Sequence, residues 1–245
     1  MNILTLSNLS IGYGKTMIAE GLNGELHSGE LTCLVGRNGI GKSTLLRTLA
    51  KFQPALNGTL QIAGHDINTL SRRQLSMLIS IVMTARPEVQ MMTVREIVAL
   101  GRSPYTNMWG TLNDKDHSIV CQCIKDVGVE HLAERRISTL SDGECQKVMI
   151  AKAMAQETPI IILDEPTAFL DYPSKADTMQ LIKNTTQKRA NADTAYQTAA
   201  LLSTHDMDMA LRMADRLWVM TSDRRLVCGT LDEVKDILKE ERLMP

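Results

Sequence analysis

The chain has 245 residues, 44% hydrophobic and 22% charged, enough for a large core and one or two domains. A net charge of −1 supplies no global basic field for nucleic acid or an anionic membrane, and 3% aromatics argue against a stacking platform for single strands. No apolar stretch approaches the roughly 20 residues of a spanning helix, and the start "MNILTLSNLSIGYG" lacks a secretory pattern. These features predict a cytosolic chain whose five cysteines, at spacings that fit no zinc site, are reduced thiols.

In chain order, "NILTLSNLSIGYG" alternates and ends at glycines, which predicts an edge strand and a turn. "ELTCLV" (30–35) is a buried-strand candidate running into the glycine-rich "GRNGIGKSTLLRTLAKF" and a helix. "GTLQIAG" (58–64) is a further strand, "SRRQLSML" (71–78) a short capped helix and "ISIVM" (79–83) a strand. From about Pro87 to Glu157 the patterns turn helical: "TVREIVALGR", "DKDHSIVCQCIKDVG", "VEHLAER" and a helix capped by Ser141. "PIIILDEP" (159–166) returns to buried strand, "PSKADTMQLIKNTTQKR" is a helix with proline in its first turn, and polar 188–199 is a surface loop. "TAALLSTHD" is strand into turn, "MDMALRMA" a helix, "RLWVMTS" and "RLVCGT" a strand pair, and "LDEVKDILKEERL" an amphipathic helix. Alternating strands and helices of this kind imply a mainly parallel sheet covered by helices.

Three places carry chemistry. Gly36, Gly41, Lys42 and Ser43 stand at phosphate-loop spacing between a strand and a helix. Successive N–H groups there can cradle phosphate, Lys42 can reach the β- and γ-phosphates, and Ser43 can ligate Mg2+. Asp164 and Glu165 end an apolar strand, where ligands of open parallel sheets gather. Asp164 would hold Mg2+ and Glu165 would polarise an attacking water. His205 ends a third strand. A lone histidine after a strand is more often structural, but beside the other two motifs it is a candidate γ-phosphate donor.

The phosphate loop, "LSDGE" (140–144), "IIILDEP", "FLD" and "STHD", in that order, resemble the ATP-binding subunit of ABC transporters over nearly the whole chain. The resemblance implies a P-loop NTPase of ABC type: an α/β core with a mainly parallel sheet, an N-terminal antiparallel β subdomain and an inserted helical subdomain. One domain, 1–245, would divide into a nucleotide-binding core (1–84 and 158–245) and a helical part (85–157). ATP and Mg2+ would be the cofactors. Gly36, Asn38, Gly39, Gly41, Lys42, Ser43 and Thr44 would bind one face of ATP, and Ser141, Gly143 and Glu144 of a second copy would bind the other. Tyr13 would stack on adenine, although a tyrosine beside glycines is also an ordinary edge residue. Asp171 would lie in the loop that crosses the dimer interface.

"TVREIVALGRSPY" and "DEPTAFLD" resemble the subgroup importing iron-siderophores, haem or cobalamin. That resemblance implies a homodimer, peripheral on the cytoplasmic face of the membrane, powering a permease dimer fed by a substrate-binding protein, with no nucleic acid involved. A soluble ABC ATPase, as in iron–sulfur cluster assembly, is the alternative. A regulatory module with weakened hydrolysis is a third reading, opposed by intact Lys42, Asp164, Glu165 and His205. Met91, Met92, Tyr105 and Trp109 either form a docking surface for a partner helix or pack the helical insert.

Three departures from the family pattern stand out. Asp142 and Glu144 replace a glycine and the glutamine of LSGGQ, and Cys145 follows where a basic residue is common. Thr84 stands at the place of a glutamine that contacts Mg2+, and would reach the metal only through a water, with Gln90 too far along. The segment 183–200 is several residues longer than usual.

Overall fold

The computed structural model describes residues 1–84, 91–168, 170–188 and 196–244. Strand β1 (Asn2–Tyr13) turns at Gly14 into β2 (Thr16–His27), and both belong to an antiparallel sheet. β3 (Leu31–Gly36) leads into helix α1 (Lys42–Leu49), and β4 (Asn57–Ile62) and β5 (His65–Asp66) complete that first sheet in the order β2-β1-β4-β5. The expected edge strand is therefore interior, because β4 takes the free side of β1. Alternation reports which face of a strand is buried and carries no count of its neighbours. β2 gave little signal, since its apolar positions are diluted by Gly21 and Gly24.

Helix α2 (Arg72–Ser76) starts at a capping box of Ser71 and Gln74, and β6 (Ile79–Val82) follows. The helical stretch then holds α3 (Val94–Ala99), α4 (Asp114–Asp126) and α5 (Asp142–Ala155). "VEHLAER" forms only a 3-10 turn, Glu130–Leu132, rather than the helix its pattern suggested. Gly128 just before it adopts a positive φ that breaks the helical run.

β7 (Ile160–Asp164), α6 (Tyr172–Thr186), β8 (Ala199–Ser203), α7 (Met207–Met213), β9 (Arg216–Met220), β10 (Leu226–Gly229) and α8 (Leu231–Glu240) complete the order. The long polar loop expected at 188–199 falls largely outside the described residues, as does Gln90. The second sheet runs β10-β9-β3-β8-β7-β6, parallel throughout except for the β9–β10 hairpin. Every residue of β3, β7 and β8 is buried. Period-two alternation divides them between two cores. Cys33 and Val35 pack with α3 to α6, whereas Leu34, Ile162 and Trp218 pack with α1 and the antiparallel sheet.

The helical stretch has its own polar anchor. Arg102, 3% exposed, donates from Nε to Asp116 Oδ1 at 2.8 Å and from Nη1 to Ala155 O at 2.7 Å and Glu157 Oε2 at 2.8 Å. The guanidinium carbon also lies 4.1 Å from the centre of the Tyr105 ring. Burial pushes the Asp116 carboxyl up, but the Asn113 N–H and Arg102 outweigh it and hold it below the usual carboxylate range. A depressed carboxyl stabilises the fold above its unfolded pKa, and that contribution is lost as pH falls through its folded pKa. Arg102→Leu leaves Asp116 buried without its cation, so we expect about 3–5 kcal/mol of destabilisation in urea unfolding at neutral pH. The deficit should shrink as pH is lowered through the Asp116 titration; a variant as stable as the parent at pH 7 would show that the triad is not an anchor.

Candidate active site

The parallel register brings three strand ends to one level. Asp164 pairs with Ser203 across β7 and β8, and Leu34 of β3 pairs with the same serine. Two residues beyond Leu34 the chain leaves the sheet at Gly36, where a Cβ would stand 2.6 Å from the Met220 carbonyl oxygen. Gly41 caps α1 at φ 119, a conformation that disfavours any residue with a side chain. Helix α1 has no side-chain cap and no acid in its first turn, so its leading N–H groups and positive dipole end face the space above the loop.

Lys42 is 7% exposed and its Nζ donates to Gly36 O at 2.7 Å and Arg37 O at 3.1 Å. Burial lowers the pKa of its ammonium, and the charges of Glu165 and Asp164 act in the opposite sense. Ser43 Oγ donates to Asp164 Oδ1 at 3.1 Å. Ser203 Oγ donates to the same oxygen at 2.7 Å and accepts the Glu165 N–H at 2.9 Å. Glu165 takes a left-handed φ of 47°, and its Oε2 lies 3.4 Å from His205 Nδ1. Strain of this kind in a carboxylate-bearing residue is typical of functional sites.

Together these residues line an open cleft of about 510 Å³ formed by Asn38, Gly39, Gly41, Lys42, Ser43, Thr44, Glu165 and His205, joined by Ile18 and Arg224. Asp164 lies beneath it, 6% exposed. Tyr13 is about half exposed, and its hydroxyl accepts from Thr44 Oγ1 at 3.4 Å, a bond that lowers its pKa. Thr84 is not among the residues lining the cleft; its hydroxyl donates to the Asp164 carbonyl at 2.7 Å. Asp171 caps α6 by accepting the Ser174 N–H at 3.3 Å.

Ser141, Gly143 and Glu144 are not among the residues lining this cleft. They form the start of α5, which carries a capping box. Ser141 N and Oγ both donate to Glu144 Oε2 at 2.8 Å, and Glu144 N donates back to Ser141 Oγ at 3.3 Å. These bonds from Ser141 hold the Glu144 carboxyl below its usual range. Cys145 is buried in the helical core, which accounts for a thiol there in place of a basic side chain.

Sequence reasoning missed Ser203 and Arg224. Ser203 was visible in "LLSTHD", but only its register opposite Asp164 gives it a role. Arg224 sits in a hairpin turn whose sequence, "SDRR", carries no signal beyond charge.

Hard oxygen ligands suit Mg2+, which takes one or two protein donors and completes its shell with phosphates and water. Ser43 and Asp164 supply such a pair at the mouth of the phosphate loop. The described residues contain no cluster of three or more His, Cys, Asp or Glu side chains that would make an all-protein metal cage.

Removing the Ser203 hydroxyl strips one donor from Asp164 and leaves the Glu165 N–H unpaired next to a strained backbone. Ser203→Ala should cost about 1–3 kcal/mol of unfolding free energy. Chemical denaturation checks this, and a change below about 0.5 kcal/mol would mean that another group satisfies both partners.

The sequence profile described as ABC transporter matches residues 19–168. An ABC transporter ATP-binding protein of Methanocaldococcus jannaschii is 36% identical over 240 residues, 97% of this chain and 80% of that one. The iron(3+)-hydroxamate import ATP-binding protein of Bacillus subtilis is 33% identical over 242 residues, 98% of this chain and 87% of that one. The solved nucleotide-free ATP-binding cassette of an ABC transporter superposes with a TM-score of 0.84 at 23% identity, over 99% of this chain and 97% of that one, and supports the fold alone. With the profile covering most of the chain and relatives above 30% identity spanning nearly all of it, this protein belongs to the ABC transporter ATP-binding family.

Proposed function

We propose that this chain is the ATP-hydrolysing subunit of a membrane importer for a metal-chelate cargo of the iron-siderophore, haem or cobalamin kind. The observation that carries the catalytic reading is the cleft itself: an uncapped α1 with Lys42 and Ser43 faces Asp164, Glu165 and His205. Similarity to an iron(3+)-hydroxamate import protein supports the cargo class and disfavours a soluble ATPase not coupled to transport. No helix among the described residues is long and apolar enough to cross a membrane. In this reading a separate permease dimer carries the transport path, and the chain sits peripherally on its cytoplasmic face. A substrate-binding protein would deliver the cargo.

In this reading residues 1–84 and 158–245 form the nucleotide-binding core and 85–157 the helical subdomain. The N–H groups of Gly39, Gly41 and Lys42 and the Lys42 ammonium hold the phosphates. Asn38 and Thr44 border them, and Tyr13 stacks on the adenine. Ser43 and Asp164 hold Mg2+, which when bound neutralises phosphate charge. Glu165 orients a water against the γ-phosphorus and takes its proton as the bond to the β-phosphate oxygen breaks. His205 positions Glu165 and donates toward the γ-phosphate.

A second copy completes the site. Its α5 presents the N–H groups of Asp142 and Gly143 and the Ser141 hydroxyl to the γ-phosphate, and Ser141 must first release Glu144. Thr84, with its proton committed to the Asp164 carbonyl, keeps lone pairs for a water-mediated link to the metal.

Glu165→Gln should retain ATP binding and slow hydrolysis by about 10²-fold or more. Closed dimers should then accumulate on size-exclusion chromatography with Mg-ATP. A variant that remains monomeric at high protein and nucleotide concentrations contradicts the shared site. Thr84→Ala should reduce ATPase activity by far less, about tenfold at most, the scale of one lost neutral hydrogen bond. Activity as low as that of Glu165→Gln would place Thr84 in the reaction centre directly.

A further inference from the structure

The β9–β10 hairpin sets Arg224 on the rim of the cleft. Sheet order puts this hairpin on the β9 side of the phosphate loop, with Glu165 on the β7 side. The Arg224 backbone is left-handed, at φ 63. Turns of this kind favour glycine, because a Cβ is strained there. Among the described non-glycine residues with positive φ, two line the cleft: Glu165 and Arg224.

The neighbours of Arg224 are committed elsewhere. Thr221 Oγ1 donates to Asp223 Oδ1 at 2.5 Å and Arg225 Nε donates to Asp223 Oδ2 at 2.5 Å, so Asp223 and Arg225 stitch the turn. Among the described residues the Arg224 guanidinium has no hydrogen-bond or ion-pair partner. The other cation lining the cleft, Lys42, spends two of its three N–H groups on loop carbonyls. A polyphosphate entering this cleft meets two carboxylates, Asp164 and Glu165, and one partly occupied ammonium. A guanidinium on the opposite rim has the planar donor fork that matches phosphate oxygens.

We infer that Arg224 is a further nucleotide-binding residue, donating to the polyphosphate chain from the rim opposite Glu165. The inference rests on the nucleotide reading of the cleft. It explains why a long cationic side chain occupies a turn position whose backbone suits glycine. Because the contact is to phosphate, it serves ATP and ADP and not the nucleoside.

The test is equilibrium binding of ATP, ADP and adenosine to the purified full chain with Mg2+, for the parent, Arg224→Ala, Arg224→Gly, Arg224→Lys and Lys42→Ala. Arg224→Ala should weaken ATP and ADP by about tenfold or more, the scale of one hydrogen bond to a charged group. The gap should narrow at high salt, since the rim is exposed. Arg224→Lys should stay within about threefold of the parent, keeping the charge but losing the fork. Adenosine affinity should not change. Arg224→Gly should melt no lower than the parent, since glycine adopts φ 63 freely, so lost binding in that variant cannot be lost folding. If Lys42→Ala loses ATP while Arg224→Ala binds it like the parent, the Arg224 inference is overturned and the cleft stands. If Lys42→Ala also binds like the parent, the cleft reading itself has failed. An equal loss for adenosine and ATP in Arg224→Ala would likewise overturn a phosphate contact.

Discussion

The arrangement of this protein depends on one buried carboxylate. Asp164 accepts hydrogen bonds from Ser43 at the start of α1 and from Ser203 at the end of β8, while its own carbonyl accepts from Thr84 beyond β6. Three segments remote in sequence are thereby fixed around the end of β7. A carboxylate in this position needs those donors, because leaving a buried acceptor unsatisfied costs about 1–3 kcal/mol. The same bonds aim the catalytic candidate, since Ser203 also receives the Glu165 N–H and holds that residue in its left-handed backbone.

The two helix starts proposed to meet phosphate are built in opposite ways. Helix α1 is left open, with a glycine cap and no acid in its first turn. Helix α5 is closed on itself by Ser141 and Glu144 and carries Asp142 as well. An open start leaves N–H groups and dipole to an incoming anion. A closed start stabilises the helix by roughly 1 kcal/mol and occupies the same donors. The first arrangement suits a site that holds nucleotide within one chain. The second suits a surface engaged only when a phosphate is presented, at the expense of an existing bond. In the proposed dimer, the bonds between Ser141 and Glu144 would have to open before a phosphate could take those donors.

The parallel sheet supplies the rigidity this chemistry requires. Its three central strands are buried on both faces, so their ends cannot shift independently. The helical stretch is joined to it through α5 and β7, and keeps a separate ionic anchor at Arg102, Asp116 and Glu157. A buried ion pair adds little net stability over an apolar one, but it fixes one arrangement of the α4 and α5 ends.

Much of this was legible in the sequence, for reasons of local chemistry. The phosphate loop, the acid pair after "IIIL" and the histidine after "LLST" each need particular residues at short spacing, so the composition of the motif reveals the site. Helix starts at Ser71, Thr93, Asn113 and Ser141 were set by capping residues within four positions of one another. Only the tertiary structure decided what depends on pairing across long separations. It put β1 inside a sheet instead of at its edge, because β4 arrives from some fifty residues away. It gave Thr84 and Ser203 partners in β7, joined Arg102 to Asp116, and carried Arg224 from an unremarkable turn to the rim of the cleft. A residue's type and immediate neighbours are written in the chain, whereas strand order, register and the groups a side chain finally meets come from packing, where distant segments must satisfy each other's buried polar groups at once.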